Sequence, residues 1–180
     1  MLRRWKRIDF PGFETLALDE DADGVRARSV IIDNSDAPLG LYIDWRLDRT
    51  WASRSVRLTL LRDGRVRELA IARTGAASWR VDGQPRPDLD GCDEVDISAT
   101  PFCNGLALRR LGQAPGELTA LYVLASELTV QPSRQRYERA GQNWRYVDLG
   151  VAKGFTAILR FDEQLIVREY EGLFEVLPDL

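Results

Sequence analysis

The chain is written in short runs that alternate apolar and polar positions. Leu41, Ile43, Trp45 and Leu47 alternate with Tyr42, Asp44, Arg46 and Asp48, the period of two expected of a strand with one buried face. Glu14, Leu16 and Leu18 alternate with Phe13, Thr15 and Ala17, and Asp21-Ala22-Asp23-Gly24 follows as a turn before a long run from Val25 to Ile32. Val56, Leu58 and Leu60 alternate with Arg57 and Thr59, and Asp63-Gly64 then predicts a tight hairpin into the stretch from Arg65 to Arg73. Ser78 to Val81 is a further strand closed by Asp82-Gly83, with residues 84–88 predicted as a loop because Pro85 and Pro87 oppose regular pairing.

Glu94 to Ser98 reads as a strand leading into one helix. Thr100 is placed to cap it, Pro101 suits its first turn, and Leu106, Leu108, Leu111, Arg109 and Arg110 run to a stop at Gly112. Leu118 to Val130 reads as one long strand or a bent pair, broken by Gln131-Pro132-Ser133. Five more strands follow: 134–139, 144–149, 155–161, 165–170 and 173–177. There is no internal repeat, low-complexity segment or linker, so residues 1–180 form a single all-β domain with one short helix. About a dozen strands in one sheet must roll or close to protect their edges, and the interior of such a sheet often holds a ligand.

Composition fits this picture and removes several chemistries. The 180 residues are 44% hydrophobic and 29% charged, with net charge −3, as expected of an ordinary globular domain. Histidine is absent, so no Ser-His-Asp or Cys-His centre, HExxH zinc site or histidine general base can be built from this chain alone. Of 25 basic residues only Lys6 and Lys153 are lysines. Arginine suits bidentate carboxylate or phosphate pairing, although a GC-rich genome gives the same bias. The slight acidic excess argues against nucleic acid as a partner.

Met1 to Arg7 has the charge of a signal-peptide start, but Asp9, Pro11 and Gly12 stand where an apolar stretch would be needed, so a cytoplasmic location is expected. The longest uncharged apolar run, 118–126, is far short of the roughly 20 residues that span a bilayer. Cys92 and Cys103 are then expected as free, buried thiols, and no metal or cofactor site is expected.

Candidate chemistry is sparse. GxSxG, GxxxxGK[ST] and GxGxxG are all missing. Asp88, Asp90, Asp93, Glu94 and Asp96 read as a solvated loop feeding a strand on which Asp96 points away from Val95 and Ile97. On the helix, Arg109 and Arg110 lie on adjacent faces, so one can turn inward to a ligand or to a buried carboxylate. The same residues also fit a structural plug in which Asp96 or Asn104 satisfies an arginine. Tyr137, Trp144 and Tyr146, interleaved with Arg134, Arg136 and Arg145, fit a sugar face or phosphate head group, and equally fit core aromatics beside surface arginines.

Several motifs together carry a resemblance. They are Trp79-Arg80-Val81-Asp82-Gly83, Gly91-Cys92, Asp96-Ile97-Ser98, Thr100-Pro101-Phe102-x-Asn104, Arg109-Arg110-Leu111, Tyr137 and Tyr170-Glu171-Gly172-Leu173-Phe174, with Gly12-Phe13-Glu14 and Tyr42-x-Asp44-Trp45 in the first half. Over nearly its whole length the chain resembles the bacterial family named "putative glycolipid-binding". The resemblance implies one long antiparallel sheet rolled into a spiral or barrel-like shape, and it brings no catalytic residues. The chain departs from the family pattern at Cys103, where Thr is usual, and at Leu106-Ala107-Leu108, where Leu-Pro-Ile is usual. The first change removes a hydroxyl and the second predicts a smoother helix.

The resulting expectation is a non-enzymatic binder of a lipid or glycolipid. Leu58, Leu60, Phe155, Ile158 and Phe161 would face inward to receive acyl chains. Asn104, Arg109 or Arg110, Tyr137 and Tyr146 would meet the polar head, with Asp96 and Trp79 as further ligand-binding candidates. Two alternatives remain: an interaction module with a filled core locked by an Arg109–Asp96 pair, and a hydrolase of glycolipids using Asp96 and Asp93.

Overall fold

The computed structural model describes residues 1–36 and 38–178. From the middle of the sheet outward, the first half of the chain is an antiparallel meander. Its strands are β1 (Leu2–Arg7), β2 (Gly12–Glu20), β3 (Val25–Asp33), β4 (Leu39–Leu47), β5 (Ser53–Arg62), β6 (Arg65–Arg73), β7 (Trp79–Val81) and β8 (Gln84–Pro85). A short 3-10 turn at Pro87–Leu89 carries the chain across to the opposite edge, β9 (Glu94–Ile97). Helix α1 (Phe102–Arg110) follows, and β10 (Gly116–Leu124) returns parallel to β9. A parallel pair needs such a crossover, which the helix supplies. The remaining strands, β11 (Thr129–Ala140), β12 (Asn143–Asp148), β13 (Thr156–Phe161), β14 (Val167–Tyr170) and β15 (Phe174–Val176), step back antiparallel until β15 pairs with β1. The result is a single 15-stranded sheet, rolled but not closed into a barrel.

Local chemistry explains the turns. Asp63 and Gly64 have φ of 53° and 68°, the left-handed pair of a type I′ hairpin whose twist matches β5 and β6. Asp82 and Gly83, at 49° and 76°, do the same between β7 and β8. Residues 84–85 therefore pair as a two-residue edge strand instead of forming a loop, and Pro85 is tolerated because nothing on its far side needs an amide donor. Pro132 likewise does not break β11: it pairs with Leu121 of β10 at a position that β12 does not reach, since β12 begins to pair only at Gln135. The basic opening segment, which carries no strand pattern, is β1, paired on both sides. Its Trp5 is fully buried and donates an indole N–H to the Val167 carbonyl at 2.7 Å.

The two halves of the inner face differ in character. In the first half it is mostly apolar: Leu16, Leu41, Ile43, Trp45, Val56, Leu58 and Leu60 are buried, with Glu14, Ser29 and Ser53 as its buried polar residues. In the second half it carries Ser133, Gln135, Tyr137, Tyr146 and Asp148, all buried. Helix α1 lies between them, its residues from Phe102 to Leu108 all buried. Phe102 meets Trp45 edge-on at 5.7 Å on one side, and Asn104 accepts a hydrogen bond from the Tyr137 hydroxyl at 3.0 Å on the other. The roll is therefore filled by its own helix. Leu58 and Leu60 face inward as expected but pack in this core, whereas Ile158 faces outward, between inward Ala157 and Leu159. Phe161 is half-buried and Phe155 is exposed.

Candidate functional site

The second half of the sheet encloses a cavity of about 140 Å³ where the helix start meets β9, β12 and β14. Two carboxylates open into it. Asp96, on β9, faces the cavity on one side and is surrounded by protein elsewhere, and its Oδ2 accepts a hydrogen bond from Gln135 Nε2 at 2.5 Å. Burial pushes its pKa up to about 6 against the opposing effect of that hydrogen bond. Asp148, at the end of β12, accepts the Tyr146 hydroxyl on Oδ2 at 3.0 Å. Its Oδ1 accepts the backbone N–H groups of Gly150 and Ala152 at 2.7 and 3.1 Å. Alternation places these groups together, because Gln135 and Tyr137 on β11 pair with Asp148 and Tyr146 on β12, so all four share the inner face.

Aromatic rings form the wall. Tyr146 lies 5.5 Å from Tyr137 and 6.2 Å from both Phe155 and Tyr170, and Tyr170 continues to Phe174 at 6.3 Å. Burial, reinforced by the negative Asp96, raises the phenol pKa of Tyr137, Tyr146 and Tyr170, so all three remain protonated donors. Val151 and Phe155, both exposed, stand at the mouth. The lining contains no arginine or lysine. Carboxylates among aromatic faces can accept ligand hydroxyls and pack against C–H surfaces, but they repel phosphate.

The expected site residues divide between this cavity and other places. Asp96, Asn104 and Tyr146 line it, and Tyr137 stands directly behind Asn104. Arg109 instead lies over the Trp51 ring at 4.0 Å and donates to the Gln164 carbonyl at 2.5 Å. Arg110 pairs with Glu94 at 3.2 Å. Trp79 donates to the Cys92 carbonyl at 3.1 Å. The expected Arg109–Asp96 pair is not formed, since the carboxylate is held by Gln135 and the guanidinium by Trp51 and Gln164. Asp93 is exposed and accepts the Thr119 N–H at 3.0 Å, so the second carboxylate in the cavity is Asp148. Asp148, Gln135 and Tyr170 were missed as site residues. Phasing the alternation on Tyr137 and Tyr146 would have put Gln135 and Asp148 on the same face.

Cys92 and Cys103 are free and buried. Among the described residues no cluster of Cys, Asp and Glu is placed to hold a metal ion, and no helix is long and apolar enough to cross a membrane.

No curated protein matches the chain. Among solved structures, a DUF1089 family protein from Pseudomonas aeruginosa superimposes with a TM-score of 0.78 at 32% identity, covering 92% of each chain. The model of the family described as "Putative glycolipid-binding" matches residues 2–176, and the chain belongs to that family.

Proposed function

We propose that the protein binds a sugar-headed amphiphile, with the sugar in the Asp96–Asp148 cavity and the lipid portion outside it, and does not transform it. The observation that carries this reading is the pair of carboxylates set in an aromatic wall with no cation beside them. That combination suits hydroxyl groups and the apolar face of a sugar ring. The acyl chain has no room within the filled roll: about 140 Å³ takes a ring, whereas ligand pockets for larger molecules run to several hundred Å³. The tail would rest instead on Val151 and Phe155 at the mouth. The free thiols accord with a reducing cytoplasm.

Thermal shift and native mass spectrometry with octyl glucoside, octyl maltoside and octyl phosphocholine test it. The glycosides should form a one-to-one adduct, and at about a hundred times the dissociation constant they should add roughly 2.7 kcal/mol of stability, with octyl phosphocholine inert. Asp148→Asn and Asp96→Asn should each weaken the effect at least tenfold. Binding to the wild type should fall below pH 6, as Asp96 takes up a proton and loses acceptor capacity. Equal response to all three detergents, or to none, would sink the proposal.

One observation favours hydrolysis as a second reading: Asp96, with its raised pKa, shares the cavity with Asp148, as an acid and base pair would. Release of nitrophenol from nitrophenyl glycosides, lost in Asp96→Asn, would establish it over simple binding.

A further inference from the structure

The outer face of β2 to β6 carries an apolar stripe unrelated to the cavity. Reading across the hydrogen-bonded register, Phe13 lies beside Ile32, Ile32 beside Gly40, Gly40 beside Leu61, and Leu61 beside Val66. One row further along, Val30 lies beside Tyr42. These six large side chains are all exposed, from 41% for Tyr42 to 66% for Val66. Alternation cannot have put them there to fill the core, because the inward positions of the same strands are already apolar and buried. Together they present on the order of 600 Å² of apolar surface, the upper limit of what a monomer exposes.

Two features say what covers it. The charges beyond the stripe are of mixed sign: Arg28 pairs with Asp19 at 2.6 Å, Arg26 with Asp44 at 2.7 Å and Lys6 with Glu175 at 3.0 Å, and Glu68 stands on the same face as Arg57 and Arg46. An anionic bilayer would call for cations at that rim without the interspersed carboxylates. The area is also most of the roughly 800 Å² per partner that a stable dimer buries. Gly40 leaves a notch in the middle of the stripe, between Ile32 and Leu61, into which a facing side chain can fit. We propose that a second copy of this chain covers the stripe, outer sheet face on outer sheet face about a two-fold axis. This pairing leaves both sugar cavities open, since they lie in the other half of each roll.

Sedimentation equilibrium and light scattering on the intact chain, over about a hundredfold range of concentration, read the outcome. The expected mass is twice 20.4 kDa. Ile32→Arg and Leu61→Arg should each return it to a single chain that still melts cooperatively, at a temperature that no longer rises with protein concentration, while Thr156→Arg, an exposed position on β13, should leave the dimer intact. Should either arginine variant fold poorly, Ile32→Ser with Leu61→Ser provides the milder equivalent. A wild-type chain that stays at 20.4 kDa throughout overturns the proposal, and so does a dimer that persists in the stripe variants. A monomer that sediments with phosphatidylcholine and phosphatidylglycerol vesicles assigns the stripe to lipid and overturns it equally.

Discussion

Glu14 places a carboxyl group where a carboxylate is costly. It is 2% exposed, its Oε1 accepts the hydroxyls of Ser29 and Thr100, and its Oε2 has no partner. Burial outweighs the two hydrogen bonds and raises its pKa from the ordinary 4.5 to about 7. The folded protein therefore keeps a proton that the unfolded chain releases. Below pH 4.5 both states are protonated, between about 4.5 and 7 stability falls as pH rises, and above 7 the loss is complete. The two and a half units between those values correspond to roughly 3 kcal/mol. Urea melts of wild type and Glu14→Gln at pH 4 and pH 8 should show the variant gaining that amount relative to wild type at the higher pH. Comparing the two proteins cancels the similar, smaller trend that Asp96 contributes. A difference independent of pH would mean that Glu14 carries the same charge folded and unfolded.

At the scale of elements, α1 is held by close approach more than by propensity. Gly105 faces the β13–β14 turn so closely that a Cβ built there would lie 2.0 Å from the Leu165 carbonyl oxygen. That oxygen belongs to backbone, which cannot swing aside as a side chain would. Gly105→Ala, although it raises helix propensity, should therefore destabilise the protein by about 2 kcal/mol, the usual range for overpacking being roughly 1 to 3. A chemical denaturation midpoint equal to or above that of wild type would show that the turn yields freely. The helix itself was legible, because Thr100-Pro101 and the leucines mark its start and face, and Phe102–Arg110 falls within the span expected. Strand β1 was not. Among its positions Arg3, Arg4, Lys6 and Arg7 surround a single buried residue, Trp5, so the strand exists through pairing to β2 and β15 and leaves no periodic signal of its own. The prolines misled for a related reason: their cost depends on whether a neighbouring strand needs the missing N–H, and the chain alone does not reveal that neighbour.

For the whole molecule, alternation made a large rolled sheet legible, but not the order in which its halves meet. The first and last strands join in the middle, and the edges ending in β8 and β9 are bridged by Trp79 to the Cys92 carbonyl and Arg73 to the Asp93 carbonyl, a seam at which Asp88, Asp90 and Asp93 stay exposed as expected while Glu94 is buried. The seam also hid half of the cavity: Asp96 stood out beside the helix, while Asp148 becomes its companion only once β11 and β12 are paired and the roll is formed. Arg73 is the centre of the seam. It stacks 4.2 Å over the Trp79 ring and donates to the carbonyls of Ser53, Ala76 and Asp93 at 2.8, 2.7 and 2.7 Å. It also lies 4.0 Å from Glu94, a 1% exposed carboxylate that accepts the Ser53 N–H and pairs with Arg110. Removing its guanidinium takes a donor from the Ser53, Ala76 and Asp93 carbonyls and one of two cations from beside the buried Glu94, and breaking such a buried charge cluster costs about 3 to 5 kcal/mol. Arg73→Ala should lose that much in urea denaturation. Arg73→Lys, which keeps the charge but cannot serve three diverging carbonyls from one ammonium, should recover less than half of it. Hydrogen exchange locates the effect: amides of β7 and β8 should exchange faster in both variants while those of β2 to β4 hold. Uniform acceleration across the sheet, or full rescue by lysine, would show that charge alone holds the seam shut.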